Sequence, residues 1–463
     1  MGINIGFDAD GVLFDTESFQ LSPKVKKYAK NKYNLDVINE DGYGIKDVYG
    51  CDEKVEIDIW TKFIVHYSLK FKARLWMKET ISKLRSEGNK IFIVTSKACA
   101  LEKSIRGFVV RFLFEIGLKI QGIYVDGIEY CSLQNSGEDK LRVCRQKKID
   151  VMVEDKWENI EILSSELYVL CMDSKNNKEK EFNQNVCRVY DTNDIYVNIQ
   201  KIIGMIGGTT DVLNRFQLKD KNEKRCMDEK ALKEYYDWLK EYYKLLPFSD
   251  KRINHSEKKL RFLTTLYSVY FWCKYHPIII GKENVTKEKG VIYICNHLCN
   301  KDMLFLLYAF HDNSTQWHPL IKREILNEKA GFLFDKAYSV FVDRNSQKDR
   351  HIATQELAKL LVHGYNVLIF PEGTYNKTKN NLKNFEGVSH VYLSSVLGKK
   401  IVPCALTSDY RSRPILRIGE EYFVSNKISL EEALKESYLK LEQLVEQNKQ
   451  LIRTGEISNV GNK

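Results

Sequence analysis

The sequence has little proline and no ordered cysteine framework. Of its 463 residues only 7 are proline, and its 11 cysteines include no Cys-x-x-Cys pair. We therefore expect neither a disulfide scaffold nor a zinc site, and a reduced cytosolic compartment. The N-terminus also lacks the basic segment and long apolar core of a signal peptide. The most apolar long stretch, Leu260 to Ile280, is broken by polar residues and Pro277, so it predicts no transmembrane helix.

The composition is that of a folded protein with room for more than one core. Hydrophobic residues make up 43% of the chain and charged residues 29%, which excludes a disordered or collagen-like chain. At about 150 residues per domain, this length predicts two or three domains. The net charge of +10 favours anionic partners such as phosphates or an acidic membrane surface. We expect no nucleic-acid binding, because neither a base-reading basic helix nor an aromatic RNA platform is present.

Two regions alternate short apolar runs with helical patterns, which predicts an α/β protein. We predict an N-terminal domain over residues 1–203 with a doubly wound parallel sheet and a small inserted helical cap at about 16–72. A linker follows at 204–228, and a C-terminal α/β domain spans 229–453. The predicted strands are Ile3–Phe7, Lys90–Val94, Val151–Val153, Glu166–Cys171, Ile292–Cys295, Ala337–Val342, Val367–Phe370 and Ile401–Ala405. The predicted helices include Lys78–Glu87, Lys140–Lys147, Asp302–Phe310, Ile352–His363 and Leu430–Arg453.

Two carboxylates, Asp8 and Asp10, follow the first predicted strand. The carboxyl end of a strand is where open α/β sheets bind ligands. Paired carboxylates there can hold Mg²⁺ while one attacks a phosphoryl group and the other protonates the leaving oxygen. A solvated loop is the alternative for this pair taken alone.

Three further elements follow in order: Thr95 at the end of the second strand, Lys140 at the start of a helix, and Glu154-Asp155 after the third strand. Taken singly, Thr95 and Asp155 are equally typical of helix N-caps, and Lys140 of a solvated surface.

Together the four elements resemble the motifs of the haloacid dehalogenase-like phosphohydrolases, and residues 139–159 look most like the pyrimidine nucleotidase-type branch. The resemblance implies that Asp8 is the nucleophile and Asp10 the general acid and base. It implies phosphate binding by Thr95 and Lys140, and Mg²⁺ binding by Asp8, Asp10, Glu154 and Asp155. Glu154 stands where the branch more often has Asp. The cap sets substrate choice in such enzymes, and the sequence leaves that substrate open.

A second constellation begins at Asn296-His297, with Asp302 five residues after the histidine. This pair lies across a predicted strand-to-helix turn, where a carboxylate can fix the imidazole tautomer and raise its basicity. Such a histidine can remove a proton from an alcohol that attacks a thioester. A helix cap beside a surface histidine is the alternative.

The string Phe370-Pro371-Glu372-Gly373-Thr374 follows another predicted strand, and its turn can present backbone amides to a phosphate. Between the two motifs lie Lys322-Arg323-Glu324 and Phe341-Val342-Asp343-Arg344. The guanidinium of Arg344 suits bidentate phosphate contact, or else pairs with Asp343 or another surface acid.

This ordered set, ending in Ile401-Val402-Pro403, resembles the glycerophospholipid acyltransferase family over about residues 230–440. The resemblance implies acyl transfer from acyl-CoA or acyl carrier protein to glycerol-3-phosphate or lysophosphatidate. His297 would be the base and Asp302 its partner. Arg344, Glu372, Gly373 and Thr374 would bind the acceptor phosphate.

The sequence departs from that family at two places. Cys299 stands where the family usually has Ser, and Tyr375-Asn376 where it usually has Arg-Ser. The acceptor identity therefore stays open, with Lys377 or Lys379 as a substitute cation.

Acyl donors and lysophospholipids reside at membranes, so we expect a peripheral site on the cytoplasmic membrane face. The stretch Leu260–Cys273 is flanked by Lys251, Arg252, Lys258, Lys259 and Arg261 and would serve as an interfacial helix. An amphipathic helix packed on the sheet is the alternative.

The sequence thus predicts an acyltransferase fused to a Mg²⁺-dependent phosphatase. The alternatives are a membrane-associated scaffold with one or both sites inactive, and a protein whose main activity is that of a phosphatase.

Overall fold

The computed structural model describes residues 2–70, 72–97, 100, 101, 103–207, 229–251, 253, 273–286, 288–299, 302–310, 317–327, 334, 338–378, 380–408, 413–425 and 428–454. These residues form two compact units. The first holds residues 2–207 with Leu246–Phe248, and the second holds 229–245 and the described residues from 249 onward. Leu246–Phe248 thus group with the first unit although they lie inside the predicted second domain.

The first unit is built on a parallel sheet, as the alternating pattern predicted. Its six strands run in the order β3-β2-β1-β4-β5-β6, and every neighbouring pair is parallel. The core strands are short, continuous apolar runs because a parallel sheet is covered on both faces. The strands are β1 Asn4–Phe7, β2 Lys90–Thr95, β3 Gly127–Tyr130, β4 Val151–Glu154, β5 Tyr168–Met172 and β6 Val186–Val189.

Nine helices of this unit are described. They are α1 Thr16–Gln20, α2 Pro23–Tyr33, α3 Ile45–Tyr49, α4 Glu53–Lys70, α5 Met77–Ser86, α6 Ile105–Ile120, α7 Ser136–Lys147, α8 Trp157–Leu163 and α9 Thr192–Gly207. The predicted cap is confirmed as helical, since it consists of α1 to α4.

The inserted cap begins and ends at one place in the unit. An isolated β-bridge joins Phe14 to Ala73, and the amide of Arg74 donates to the carbonyl of Leu13 at 2.8 Å. The chain therefore leaves the sheet and returns to it through neighbouring backbone segments.

Three details of the first unit differ from the sequence prediction. Helix α7 begins at Ser136, so Lys140 lies in its second turn rather than at its start; the acids Glu138 and Asp139 stabilise the first turn against the helix dipole. Helix α9 continues through Gly207, past the predicted start of the linker at 204, because glycine is tolerated near a helix C-terminus. The rest of that linker, 208–228, lies outside the described residues. The pattern also missed α6, α8, α9, β3 and β6.

The second unit contains a mixed sheet in the order β10-β9-β11-β8-β12-β13-β7. The first five strands in this order are parallel to one another, and β13 and β7 run antiparallel to them. The strands are β7 Ile278–Ile280, β8 Ile292–Cys295, β9 Trp317–Lys322, β10 Val340–Val342, β11 Asn366–Ile369, β12 Ile401–Ser408 and β13 Pro414–Ile418. The described helices are α10 Glu229–Leu245, α11 Asp302–Ala309, α12 Gln347–Val362, α13 Ser389–Leu397 and α14 Leu430–Thr454.

Strand β10 is shorter than the predicted strand Ala337–Val342. Tyr338 has a φ of 55°, a left-handed conformation that an extended strand cannot contain. Strands β7, β9 and β13 were not predicted. In the part of the chain that the structure describes, no helix is long and apolar enough to cross a membrane. The predicted interfacial helix Leu260–Cys273 lies outside the described residues except for its last residue.

A buried histidine joins α13 to α14 in the second unit. The Nε2 atom of His390 lies 3.0 Å from the Ser437 hydroxyl, which also accepts a hydrogen bond from Tyr422 at 2.8 Å. His390 is fully buried, and its Nδ1 has no hydrogen-bond partner. Burial lowers the pKa of His390 to about 3, from an ordinary value of 6.5.

We expect His390 to make the second unit less stable in acid. The unfolded chain takes up a proton on His390 below pH 6.5, whereas the folded chain does not until about pH 3, so the free energy of unfolding falls across that window. Between pH 7 and pH 5 the loss amounts to about 2 kcal/mol. Urea unfolding at both pH values should show this loss in the wild type and its disappearance in His390→Gln. An equal loss in the variant would contradict the assignment.

Candidate active sites

The predicted residues of the first unit converge at the carboxyl ends of three adjacent strands. Strand β1 lies between β2 and β4, and Phe7 pairs with Ile93 on one side and Val153 on the other. The three strands therefore end within two residues of one another, and the side chains that follow them share one edge of the sheet.

Three carboxylates form a buried cluster there. Ligand oxygens of Asp8, Glu154 and Asp155 all lie within 4.8 Å of one another. The ammonium of Lys140 is 2.6 Å from Glu154 Oε2 and 3.1 Å from Asp8 Oδ2. One ammonium against three carboxylates leaves two negative charges uncompensated.

The electrostatics of the cluster reflect this excess charge. Burial, reinforced by Glu154 and opposed by Lys140, raises the pKa of Asp8 to about 7. Burial and the neighbouring carboxylates also raise the pKa of Asp155 well above its usual range. The carboxylates Asp8 and Glu154 outweigh the desolvation of Lys140 and raise the pKa of that lysine, so it stays protonated.

A divalent cation fits this arrangement. The Oδ1 atoms of Asp8 and Asp155 are buried without a hydrogen-bond partner, and such orphaned acceptors are costly unless a ligand uses them. The donor set of the cluster consists of carboxylate oxygens, which suits a hard cation such as Mg²⁺. The structure thus brings together three of the four residues predicted to bind metal, namely Asp8, Glu154 and Asp155.

The side chain of Asp10 takes a different position from the one predicted for a metal ligand. Its carboxylate oxygens lie 3.1 and 3.3 Å from the ammonium of Lys97, outside the three-carboxylate cluster. Lys97 is buried and its ammonium lies 4.8 Å from the centre of the Phe114 ring. The sequence did not indicate a role for Lys97, because the burial of its side chain depends on packing against α6, a helix that was not predicted.

Gly11 allows the backbone that follows Asp8 and Asp10 to pack against the carboxylate of Asp155. Its φ is +85°, and a Cβ atom built on it would lie 2.0 Å from Asp155 Oδ2. Any side chain at this position would both strain the backbone and displace Asp155.

The side chains of Thr95 and Lys140, the two predicted phosphate-binding residues, are both buried. The Thr95 hydroxyl is buried at the end of β2 and has no hydrogen-bond partner, so it remains available to a phosphate. Lys140 contacts the cluster directly. Phosphate binding by these two residues stays a prediction.

The cap contributes a side chain that the sequence analysis missed. The hydroxyl of Tyr43 lies 3.1 Å from Asp155 Oδ2 and donates to it. Burial and the Asp155 charge raise the pKa of Tyr43 well above its usual range, so the phenol keeps its proton. No local pattern identifies this tyrosine, because the contact joins residues 112 positions apart.

Tyr43 holds Asp155 by one oxygen and leaves the other, Oδ1, for a cation. Removing the hydroxyl in Tyr43→Phe should therefore loosen Asp155 and weaken Mg²⁺ binding by about tenfold, as for other residues that orient a metal ligand. Isothermal titration calorimetry of the full chain with Mg²⁺ measures this. Tyr28→Phe is the matched control, because its hydroxyl bonds Asp58 within the cap. Equal affinities in wild type and Tyr43→Phe would contradict the role.

In the second unit, His297 and Asp302 form a hydrogen-bonded pair just after β8. His297 Nδ1 is 2.9 Å from Asp302 Oδ2, and the same oxygen accepts from the amides of Leu298 and Cys299 at 2.5 and 2.9 Å. Asp302 is buried at the first turn of α11. An ionised Asp302 accepts a hydrogen bond from Nδ1–H, which leaves the unprotonated Nε2 as the basic atom of the imidazole. The predicted pair is therefore assembled.

The imidazole of His297 is also held by ring packing. Its centroid lies 4.3 Å from that of Phe370, with nearly parallel planes, and 4.4 Å from that of Tyr375. The Cys299 thiol, in place of the usual serine, lies 3.3 Å from Asp302 Oδ1 and donates to it. Tyr375, which stands where the family usually has arginine, therefore packs against the imidazole ring of His297.

Glu372 occupies a different place from the one predicted for a phosphate-binding residue. It is fully buried; Oε1 accepts from the amide of His297 at 2.8 Å, and Oε2 accepts from that of Lys383 at 2.7 Å. Both oxygens are used, and a carboxylate repels a phosphate, so the structure favours a positioning role for Glu372. Burial raises its pKa, opposed by these two amides.

Arg344 lies beside Gly373, which is part of the motif Phe370-Pro371-Glu372-Gly373-Thr374. Gly373 has a φ of +71°, and a Cβ atom on it would come within 2.8 Å of Arg344 Nη1. Arg344 is half-buried, which lowers its pKa, and Nη1 lies 3.9 Å from Glu386 Oε2. Thr374 is half-buried beside them. The structure therefore gathers Arg344, Gly373 and Thr374, with Glu386 rather than Asp343 as the acid nearest to the guanidinium.

Lys377 and Lys379 were the predicted substitutes for the family's usual arginine, and that prediction stays open. Lys383 forms an ion pair with Glu386 beside Arg344. Lys377 is exposed and Lys379 lies outside the described residues.

We expect Glu372→Gln to release the backbone of His297. An amide side chain accepts through only one of its two terminal atoms, so one backbone amide loses its partner, at a cost of about 1–3 kcal/mol. Amide hydrogen exchange at His297 or Lys383 should accelerate by roughly tenfold or more. The exposed Glu288→Gln is the control. Unchanged exchange at both amides would show that Glu372 does not hold the motif.

Comparisons with known proteins agree with this division of the chain. Residues 276–407 match the family model described as Acyltransferase. A 1-acyl-sn-glycerol-3-phosphate acyltransferase from Cocos nucifera is 28% identical over 141 residues, which is 30% of this chain and 44% of that protein. A nucleotidase from Clostridium acetobutylicum is 23% identical over 212 residues, which is 43% of this chain and 95% of that protein.

Among solved structures, a 1-acyl-sn-glycerophosphate acyltransferase from Thermotoga maritima is similar at a TM-score of 0.33 and 17% identity, covering 55% of this chain and 94% of that chain. The chain spans less than half the length of its Cocos nucifera relative. Residues 276–407 are therefore similar to acyltransferases, and the N-terminal region is similar in sequence to a nucleotidase.

Proposed function

We propose that the second unit transfers an acyl chain from acyl-CoA or acyl carrier protein to glycerol-3-phosphate or lysophosphatidate in phospholipid synthesis. The observation that carries this proposal is the His297–Asp302 pair with its 2.9 Å hydrogen bond, inside the region that matches the acyltransferase family. The sequence similarity to 1-acyl-sn-glycerol-3-phosphate acyltransferases supports the glycerophosphate acceptor.

The geometry supplies a general base for this reaction. The Nε2 atom of His297 takes the proton from the acceptor hydroxyl while the hydroxyl oxygen attacks the thioester carbonyl carbon. The carbon–oxygen bond forms, the carbon–sulfur bond breaks, and the leaving thiolate recovers the proton from the imidazolium. Asp302 stabilises that imidazolium through Nδ1.

The acceptor phosphate lies against Arg344, Gly373 and Thr374 in this proposal. Arg344 supplies a forked donor and Thr374 a hydroxyl. Glu372 does not contact the acceptor in this proposal; it positions His297 by accepting a hydrogen bond from the backbone amide of that residue.

The first unit acts in this proposal as a Mg²⁺-dependent phosphomonoester hydrolase. Asp8 attacks phosphorus and forms an aspartyl-phosphate as the ester P–O bond breaks, and Asp10 gives its proton to the leaving alkoxide. Asp10 then takes a proton from a water that attacks phosphorus, which releases inorganic phosphate and regenerates the Asp8 carboxylate. Thr95 and Lys140 bind the phosphate. Asp8, Glu154 and Asp155 would hold Mg²⁺, which would neutralise part of the phosphate charge when bound. The buried pair of orphaned carboxylate oxygens supports this proposal.

A membrane-associated scaffold with inactive sites is the competing function. The side chains of both motif sets are present and assembled, which favours an enzyme with two activities over a scaffold. We place the protein peripherally on the cytoplasmic membrane face, where its lipid substrates reside.

The proposal is tested by separating the two activities. Purified protein is incubated with labelled acyl-CoA and a panel of glycerol-phosphate and lysophospholipid acceptors, and products are identified by mass. We expect His297→Ala to lower acyl transfer by about 10²-fold or more and to leave phosphate release within about twofold. Asp8→Asn, or chelation of Mg²⁺, should do the reverse.

Two outcomes would contradict this assignment. Loss of both activities in either folded variant would exclude two independent sites. Phosphate release that persists after thorough chelation would exclude the metal role.

A further inference from the structure

Helix α6 of the first unit has apolar residues on two opposite faces. Val110, Phe114 and Leu118 lie on its buried face. On the opposite face, Ile105, Phe108, Val109 and Phe112 are 85%, 59%, 39% and 50% exposed. A helix of this kind is normally enclosed by other elements, yet one face of α6 remains open to solvent.

The exposed residues form one continuous stripe. Positions 105, 108, 109 and 112 are spaced by three and four residues, which places them on the same side of a helix. The rings of Phe108 and Phe112 stack with centroids 5.9 Å apart and planes inclined by 16°. Large contiguous apolar surfaces on soluble proteins mark interaction sites rather than ordinary surface.

The charges around the stripe indicate an anionic partner. Residues 101–120 contain four cations, Lys103, Arg106, Arg111 and Lys119, against Glu102 and Glu115. The exposed Lys103 precedes the helix, and the exposed Lys119 lies at its C-terminal end. An apolar face with basic residues at its borders is the signature of a helix that lies in the interface of an anionic bilayer.

The same charges disfavour a second copy of the chain as the partner. In an antiparallel pairing of two α6 faces, Lys103 of each copy would lie near Lys119 of the other, and like charges facing each other destabilise a contact. Lipid phosphates, in contrast, pair with both lysines.

We propose that α6 docks the protein on an anionic lipid surface. Ile105, Phe108, Val109 and Phe112 enter the boundary between head groups and acyl chains, while Lys103 and Lys119 contact lipid phosphates. This surface is distinct from the Leu260–Cys273 stretch, and it does not depend on the chemistry assigned to either site.

Vesicle flotation of the full chain tests the proposal, with vesicles of phosphatidylcholine alone and of phosphatidylcholine mixed with phosphatidylglycerol. The double variant Phe108→Gln, Phe112→Gln should lower partitioning onto the mixed vesicles by roughly tenfold or more, because two aromatic rings no longer leave water. The matched control Leu430→Gln, Leu439→Gln alters two exposed leucines of α14 and should bind as the wild type does. Lys103→Glu with Lys119→Glu should weaken binding to the mixed vesicles more than to neutral ones.

Two results would overturn the proposal, with circular dichroism confirming that each variant is folded. Equal partitioning of the wild type and the phenylalanine variant would place the lipid contact elsewhere in the chain. A wild-type dimer in light scattering that dissociates in the phenylalanine variant, without vesicle binding by either protein, would make this face a contact between copies.

Discussion

Parallel strand pairing is the constraint on which both sites depend. Neighbouring parallel strands end at the same edge of a sheet, so residues far apart in sequence meet there once the register is fixed. In the first unit Phe7 pairs with Ile93 and Val153, which makes Asp8, Thr95 and Asp155 neighbours. In the second, the pairing of Ile294 with Ile369 brings His297 to Phe370. The candidate site residues of each unit lie within a few positions of these strand ends.

Buried carboxylates serve opposite purposes in the two units. Glu372 is fully satisfied by two backbone amides and fixes a loop. In the first unit, Asp8 and Asp155 each keep an oxygen without a partner. A buried carboxylate with its donors is part of the scaffold, whereas one lacking them stores an unfavourable desolvation that a ligand relieves.

The sequence predicted those parts of the sites that local spacing determines. Asp8 directly follows an apolar strand, and His297 and Asp302 span one strand-to-helix turn, so their chemistry could be anticipated. The partners Tyr43 and Lys97 were missed because each meets its carboxylate only through long-range packing of the cap or of α6. The positioning role that the structure favours for Glu372 was not anticipated for a related reason: its sequence motif is typical of a phosphate-binding turn, but its burial is a property of the folded second unit.

The paired ends of the inserted segment make it an exchangeable part of the first unit. Because residues 13–14 and 73–74 are hydrogen-bonded to each other, the sheet is attached to the insertion at a single place, whatever the length of chain between them. The entropy of closing such a loop changes slowly, by about 0.6 kcal/mol for each doubling of its length. Evolution can therefore lengthen, shorten or replace this segment without changing the strand register or the buried carboxylates. Such a change would alter the cap residues that contact Asp155, as Tyr43 does here.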